Sequence, residues 1–166
     1  MARARFYGTF EYSVDSKGRV AVPVAFRKKL GPDEDAFFFA PGRDRTIEVH
    51  PMTEWDEYEN RTLHVLPEHS RAAQRFQRFL YASACEARLD TQGRIMLPRH
   101  LRELAGIEDS VVIAGAGRSF EIWEPHNFRR FVDEARVTYD ADRNAAASEG
   151  WRGSKGNADG SREELS

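Results

Sequence analysis

The chain has 166 residues, 40% of them apolar and 31% charged, the profile of an ordinary soluble protein able to bury a core of one or two domains. No apolar run approaches the roughly 20 residues that span a bilayer, and the basic N-terminus lacks the apolar core of a secretory signal; a membrane partner is not expected. The single cysteine, Cys85, excludes an internal disulfide and reads as an inert, buried thiol in a cytoplasmic protein. The net charge of −2 hides a segregation: residues 1–31 carry seven Lys/Arg against two acids, and residues 32–70 carry three against ten. Local field decides what a face attracts, so the net value does not exclude a polyanionic partner.

In chain order, Phe6, Gly8, Phe10, Tyr12 and Val14 alternate as a strand. A turn at Ser16-Lys17-Gly18 follows, then a second strand through Val20 and Val22. Pro23 suits the first position of a helix from Val24 to Leu30, stopped by Gly31-Pro32. Phe37 to Phe39 and Thr46 to Val49 read as strands around a turn at Pro41–Asp44, and Met52 to Arg61 as a helix. Pro67 to Ala82 has Ala72, Ala73, Phe76, Phe79 and Leu80 at helical spacing. The preferred reading is a stripe that closes one half of the chain on the other; a packing face for a neighbouring subunit is the alternative.

The second half then repeats the first. Glu86, Asp90, Gly93, Arg94, Pro98 and Gly106 stand 75 residues after Glu11, Asp15, Gly18, Arg19, Pro23 and Gly31. Arg88 to Asp90 and Arg94 to Leu97 are strands about the turn at Thr91-Gln92-Gly93, and a helix runs from Pro98 to Ala105. Strands Ser110 to Ala114 and Phe120 to Trp123 flank Gly115-Ala116-Gly117, and a helix follows from His126 to Arg136. The repeat covers a whole β-β-α-β-β-α unit, the signature of a duplicated module. The division expected is 6–62 for the first unit, 63–83 for a connecting helix, 84–137 for the second unit and 138–166 for a disordered tail. That tail is rich in glycine and charge, with Trp151 and Leu165 as its sizeable apolar residues; Trp151 is a conceivable partner anchor.

The chemistry concentrates in Asp15-Ser16-Lys17-Gly18-Arg19 and Asp90-Thr91-Gln92-Gly93-Arg94. An aspartate opening a tight turn accepts amide hydrogens from the residues ahead, and glycine allows the reversal. An arginine four residues on can pair with that carboxylate and still offer a fork of donors to phosphate or a guanine edge. The alternative is that each pair only braces its own turn. Two copies, with Arg27, Lys28, Lys29, Arg99 and Arg102 close in sequence, favour DNA.

The duplicated Asp-x-x-Gly-Arg-(apolar)-x-(apolar)-Pro pattern resembles the SpoVT–AbrB family of swapped-hairpin DNA-binding modules, over residues 6 to 136. The resemblance implies an α+β fold in which two tandem swapped-hairpin units form a pseudo-twofold β-barrel core flanked by helices. Two-unit members imply a sequence-specific transcriptional regulator that recognises repeated boxes upstream of the division and cell-wall gene cluster. They also imply double-stranded DNA and a ring-like homo-oligomer of itself as partners, and residence in the cytoplasm at the nucleoid. Residue by residue, the motif falls on Asp15, Lys17 and Arg19, and on Asp90 and Arg94; DNA contact is expected from Lys17, Arg19 and Arg94 with the adjacent Arg27, Lys28 and Arg99, and turn bracing from Asp15, Gly18, Asp90 and Gly93. Gln92 replaces Lys17 in the second copy, which weakens the phosphate contact expected there.

Other chemistries fit less well. Duplicated aspartates could form a proton-sharing acid dyad, and Asp90-Thr91-Gln92-Gly93 echoes Asp-Thr-Gly, but with one residue inserted and a cation beside each acid. The five histidines contain no His-x-x-x-His pair, and Gly115-Ala116-Gly117 lacks the rest of a phosphate-cradling loop. No metal, cofactor, small-molecule substrate or enzyme activity is expected. A tail that binds a protein partner, as in antitoxins built on this fold, is a third class.

Overall fold

The computed structural model describes residues 3–156, which divide after Phe128 into two compact units. The first holds strands β1 (Thr9–Ser13), β2 (Arg19–Ala21), helix α1 (Val24–Arg27), β3 (Ala36–Pro41), β4 (Ile47–Pro51), α2 (Met52–Tyr58), α3 (Arg71–Ser83), β5 (Cys85–Arg88), β6 (Arg94–Met96), α4 (Arg99–Ala105), β7 (Ser110–Gly115) and β8 (Phe120–Trp123). Helix α5 (Pro125–Gly156) starts in it and supplies the second unit.

Six strands form an antiparallel sheet in the order β1-β7-β8-β4-β3-β5, and β2 pairs with β6 in a separate ribbon. Exchanging each strand for its repeat partner returns the same order read backwards, so the sheet has a pseudo-twofold between β4 and β8. The two copies interleave. Strand β1 of the first lies on β7 of the second, and β5 of the second lies on β3 of the first. The barrel expected from the sequence is not closed. Strands β2 and β6 bond to each other and are not added to the main sheet, so β1 and β5 remain its two edges.

Strand alternation distributes the side chains as pleating requires. Phe37 and Phe39 of β3, Val111 and Ile113 of β7, and Phe120 and Ile122 of β8 face the main core. They meet Phe6, Val20, Val22, Phe26, Ile95, Leu97 and Leu101 from the ribbon and helices. Phe120 is the hub: its ring centroid lies 5.3 Å from both Phe6 and Phe26, and 5.6 Å from Phe37. On the opposite face, Ala40 packs with Trp55, Leu63 and Leu80, while Val112 and Ala114 pack with Trp123 and Phe128. Cys85 is partly buried against the main core, and burial pushes its thiol pKa up, as suits an inert cysteine.

Helix boundaries differ from the sequence reading in instructive ways. Helix α1 ends at Arg27 rather than Leu30. Helix α2 gives way to a π-helical turn, Glu59–Leu63, that buries Leu63. Helix α3 begins at Arg71 because the Ser70 hydroxyl accepts the Ala73 amide at 3.2 Å and caps it. Its apolar stripe does not close the two halves. Ala73, Gln77 and Leu80 turn inward, and Gln77 Nε2 donates to the Leu63 carbonyl at 2.7 Å. Phe76 and Phe79, flanking that line, are 45% and 53% exposed.

The segment expected to be disordered from 138 is helical to Gly156. Little burial is compatible with this, since a helix satisfies its own backbone hydrogen bonds without a core. Ala135, Ala141 and Ala145 to Ala147 lose little side-chain entropy there, and the Thr138 hydroxyl donates to Asp142 at 2.6 Å. At its start, the Glu124 carboxylate accepts the His126 and Asn127 amides at 2.9 and 2.7 Å. The Trp151 side chain and residues 157–166, Leu165 among them, lie outside the described residues.

Phe120→Ala should lower unfolding stability by about 3–5 kcal/mol, read from the urea midpoint; a loss below about 1 kcal/mol would show that the aromatic cluster relaxes around the void.

Candidate nucleic-acid interface

Both Asp–Arg turns have one geometry. The Asp15 carboxylate accepts the Lys17 and Arg19 amides on Oδ1, each at 2.9 Å, and Arg19 Nε on Oδ2 at 2.7 Å. Asp90 accepts the Gln92 amide at 2.8 Å and the Arg94 amide at 2.9 Å on Oδ1, with Arg94 Nε on Oδ2 at 2.9 Å. Backbone bonds close each loop: Gly18 N donates to Asp15 O at 2.9 Å, and Gly93 N to Asp90 O at 3.0 Å. Gly18 and Gly93 adopt φ of +82° and +74°, a region costly for any residue with a Cβ.

The ribbon puts these turns side by side. Arg19 stands opposite Met96 and Arg94 opposite Ala21, with Val20 and Ile95 paired between them and buried. Arg94 Nη1 reaches to 3.8 Å from Asp15 Oδ2, across the repeat boundary. The Arg19 and Arg94 side chains are 28% and 27% exposed. They are neither entombed nor on opposite sides of the molecule. Because Nε of each is engaged by its own aspartate, the terminal nitrogens are the donors left to face a ligand.

The remaining cations divide into three kinds. Lys17, within the first turn, and Lys28, at the end of α1, are both exposed. Arg99 is 86% exposed and donates through Nε to Glu103 at 2.9 Å, a pair along α4. Arg27 turns inward. Its Nε donates to the Val22 carbonyl at 3.1 Å, and its guanidinium lies against Gly93 of the other copy. Arg102, which the 75-residue offset pairs with Arg27, lies likewise against Gly18. In the sequence Arg102 stands out only as a nearby cation; the 75-residue offset, carried into the helix, marks it as the counterpart of Arg27.

The charge pattern disposes of the acid dyad. Asp15 and Asp90 are both held below the ordinary aspartate range, chiefly by the amides of Arg19 and Arg94, and further by their guanidinium groups. A proton-sharing pair would have one member raised. Among the described residues, no three His, Cys, Asp or Glu side chains are grouped to hold a metal, and no helix is long and apolar enough to cross a membrane.

Comparison with known proteins agrees with the duplication. The family model described as "MraZ protein, putative antitoxin-like" matches twice, over residues 5–79 and 80–148. The chain belongs to the MraZ family. Curated relatives named transcriptional regulator MraZ include those of Alkaliphilus metalliredigens, 38% identical, and Natranaerobius thermophilus, 41% identical. Each alignment covers 135 residues, 81% of this chain and 92% of the relative. A solution structure of a Pyrococcus horikoshii protein aligns with a TM-score of 0.32 at 16% identity, covering 72% of this chain and 96% of that one, too slight a likeness to bear on the fold.

Carboxyl-carbon NMR titration should place the Asp15 and Asp90 midpoints below those of the same residues in unfolded peptides. Since both pKa values are depressed by folding, their contribution to stability is complete above the ordinary value of about 4 and fades as pH falls through the folded values. Midpoints at or above the peptide values would mean the turns are not braced as described.

Proposed function

We propose that this chain is a sequence-specific, double-stranded-DNA-binding transcriptional regulator without enzymatic activity or cofactor. The observation that carries the reading is the Arg94–Asp15 approach, which gathers two arginine-bearing turns of a duplicated module into one pseudo-symmetric patch. The regulator names of the relatives support it.

The division of labour follows from the chemistry of the groups. Lys17 and Lys28 are exposed point charges suited to phosphates, which fix register without reading sequence. Arg99 can exchange Glu103 for a phosphate at little cost, because an exposed pair of this kind is weak. Arg19 and Arg94 each retain terminal guanidinium nitrogens for bidentate bonding to guanine O6 and N7. Arg27, expected to contact DNA, is better placed to hold the opposite turn.

On this reading the strand exchange is that of a swapped-hairpin module, with functional units at 6–62 and 84–137 joined by 63–83. The repeat gives one subunit few phosphate contacts. A ring-like homo-oligomer would present the patch repeatedly and engage several spaced boxes, each tethered contact raising the effective concentration of the next. The targets are repeated boxes upstream of the division and cell-wall gene cluster, and the protein works in the cytoplasm at the nucleoid.

Fragments selected from the genome of origin supply the box. Fluorescence anisotropy on that box and a scrambled control should then show Arg19→Ala weakening specific binding by roughly 1–3 kcal/mol. An equal small loss on both DNAs reassigns Arg19 to phosphate; normal affinity of a folded Arg19→Ala/Arg94→Ala variant removes both turns from the interface.

A further inference from the structure

The inner arginines do something the outward ones cannot. A methyl placed on Gly93 would sit 2.6 Å from Arg27 Cζ, 2.7 Å from Nη1 and 2.8 Å from Nε. One placed on Gly18 would sit 3.1 Å from Arg102 Cζ and 3.2 Å from Nη2. Both glycines are buried, and the guanidinium groups occupy the space a side chain would need. The peptides of the same glycines are tied across the repeat: Gly93 O accepts the Val22 amide at 2.9 Å, and Gly18 O accepts the Leu97 amide at 2.8 Å. Each turn is therefore gripped by the amide just after a ribbon strand and by a helix arginine, both from the other copy.

We propose that Arg27 and Arg102 are reciprocal positioning residues, Arg102 setting the turn that presents Arg19 and Arg27 setting the turn that presents Arg94. The proposal rests on the DNA-binding reading for its consequence, while its geometry stands apart from that reading. A planar guanidinium covers a glycine peptide face in a way a lysine ammonium does not, so charge alone cannot substitute. The two latches are unequal. Arg27 Nε is satisfied by the Val22 carbonyl, whereas Arg102 Nε is buried without a hydrogen-bond partner. An unmet buried donor is a cost, so the Arg102 side is held by packing and the first turn is the more easily loosened.

Arg102→Lys and Arg27→Lys test this in the full chain, since each keeps the charge. Residue-resolved hydrogen exchange gives a readout without DNA. Arg102→Lys should speed exchange of the Lys17 and Arg19 amides by about tenfold and leave those of Gln92 and Arg94 unchanged; Arg27→Lys should do the reverse. Exchange that changes in neither turn, or only in the turn of the same copy, overturns the proposal. On DNA, Arg102→Lys should cut the preference for the selected box over the scramble by about tenfold, with scramble affinity unaltered. Full discrimination by both lysine variants overturns the recognition role. So does an Arg102→Met variant that loses affinity equally on both DNAs with a salt slope smaller by about 0.9, because that marks a direct phosphate contact. If the wild-type chain shows no preference for any DNA, the DNA-binding reading fails, and the exchange result still decides whether the latch exists.

Discussion

The pairing of β2 with β6 is the contact on which the rest of the molecule depends. Only three residue pairs long, it sets Val20 against Ile95, both buried in the main core. Side chains alternate along a strand, so a slip of one residue would turn these two toward solvent and drive Arg19 and Arg94 inward. Core burial thus fixes which way the arginines face. The same ribbon brings Gly18 to Leu97 and Gly93 to Val22, and it sets Arg94 near Asp15. Neither half could arrange its turn this way alone, because in each case the partner groups belong to the other half.

The two copies share this geometry and differ in charge. Across the 75-residue offset Lys17 corresponds to Gln92, Lys28 to Glu103 and Val24 to Arg99, while the Asp–Arg turns have hydrogen bonds of nearly equal length. The same division holds at the pseudo-twofold. Glu48 and Glu121 stand opposite one another on β4 and β8, an unfavourable juxtaposition for like charges. Each is held by a ring nitrogen two residues on: His50 Nε2 lies 3.2 Å from Glu48, and Trp123 Nε1 donates to Glu121 at 2.9 Å. Burial, and to a lesser degree Glu48, push the Glu121 pKa above the ordinary carboxylate value. A symmetric scaffold carrying unequal charges suits a ligand that is itself only approximately symmetric.

Much of this was legible from residue spacing. The turns, the ribbon strands and the helices after Pro23 and Pro98 follow from periodicity, glycine placement and the internal repeat, and the Asp15–Arg19 and Asp90–Arg94 pairs form as their spacing suggested. What escaped depends on information a local pattern lacks. Periodicity puts Phe76 and Phe79 in an apolar stripe, but it cannot say which members of the stripe α3 leaves exposed. The inward turn of Arg27 requires knowing that a buried glycine of the other copy lies above it. Whether eight strands close into a barrel or leave β1 and β5 as edges depends on long-range pairing. The segment after 138 has little to bury, yet its alanines and arginines favour a helix that needs no core.

The central claim is that both turns approach one DNA molecule together. Photo-crosslinking tests it most directly, with a benzophenone amino acid placed in turn at the exposed tips Ser16 and Thr91 and, as a control, at exposed Val65. The account predicts DNA adducts of comparable yield from Ser16 and Thr91 on a fragment carrying the selected box, and background yield from Val65. Adducts from one tip alone, or from Val65 as readily as from either tip, would contradict it.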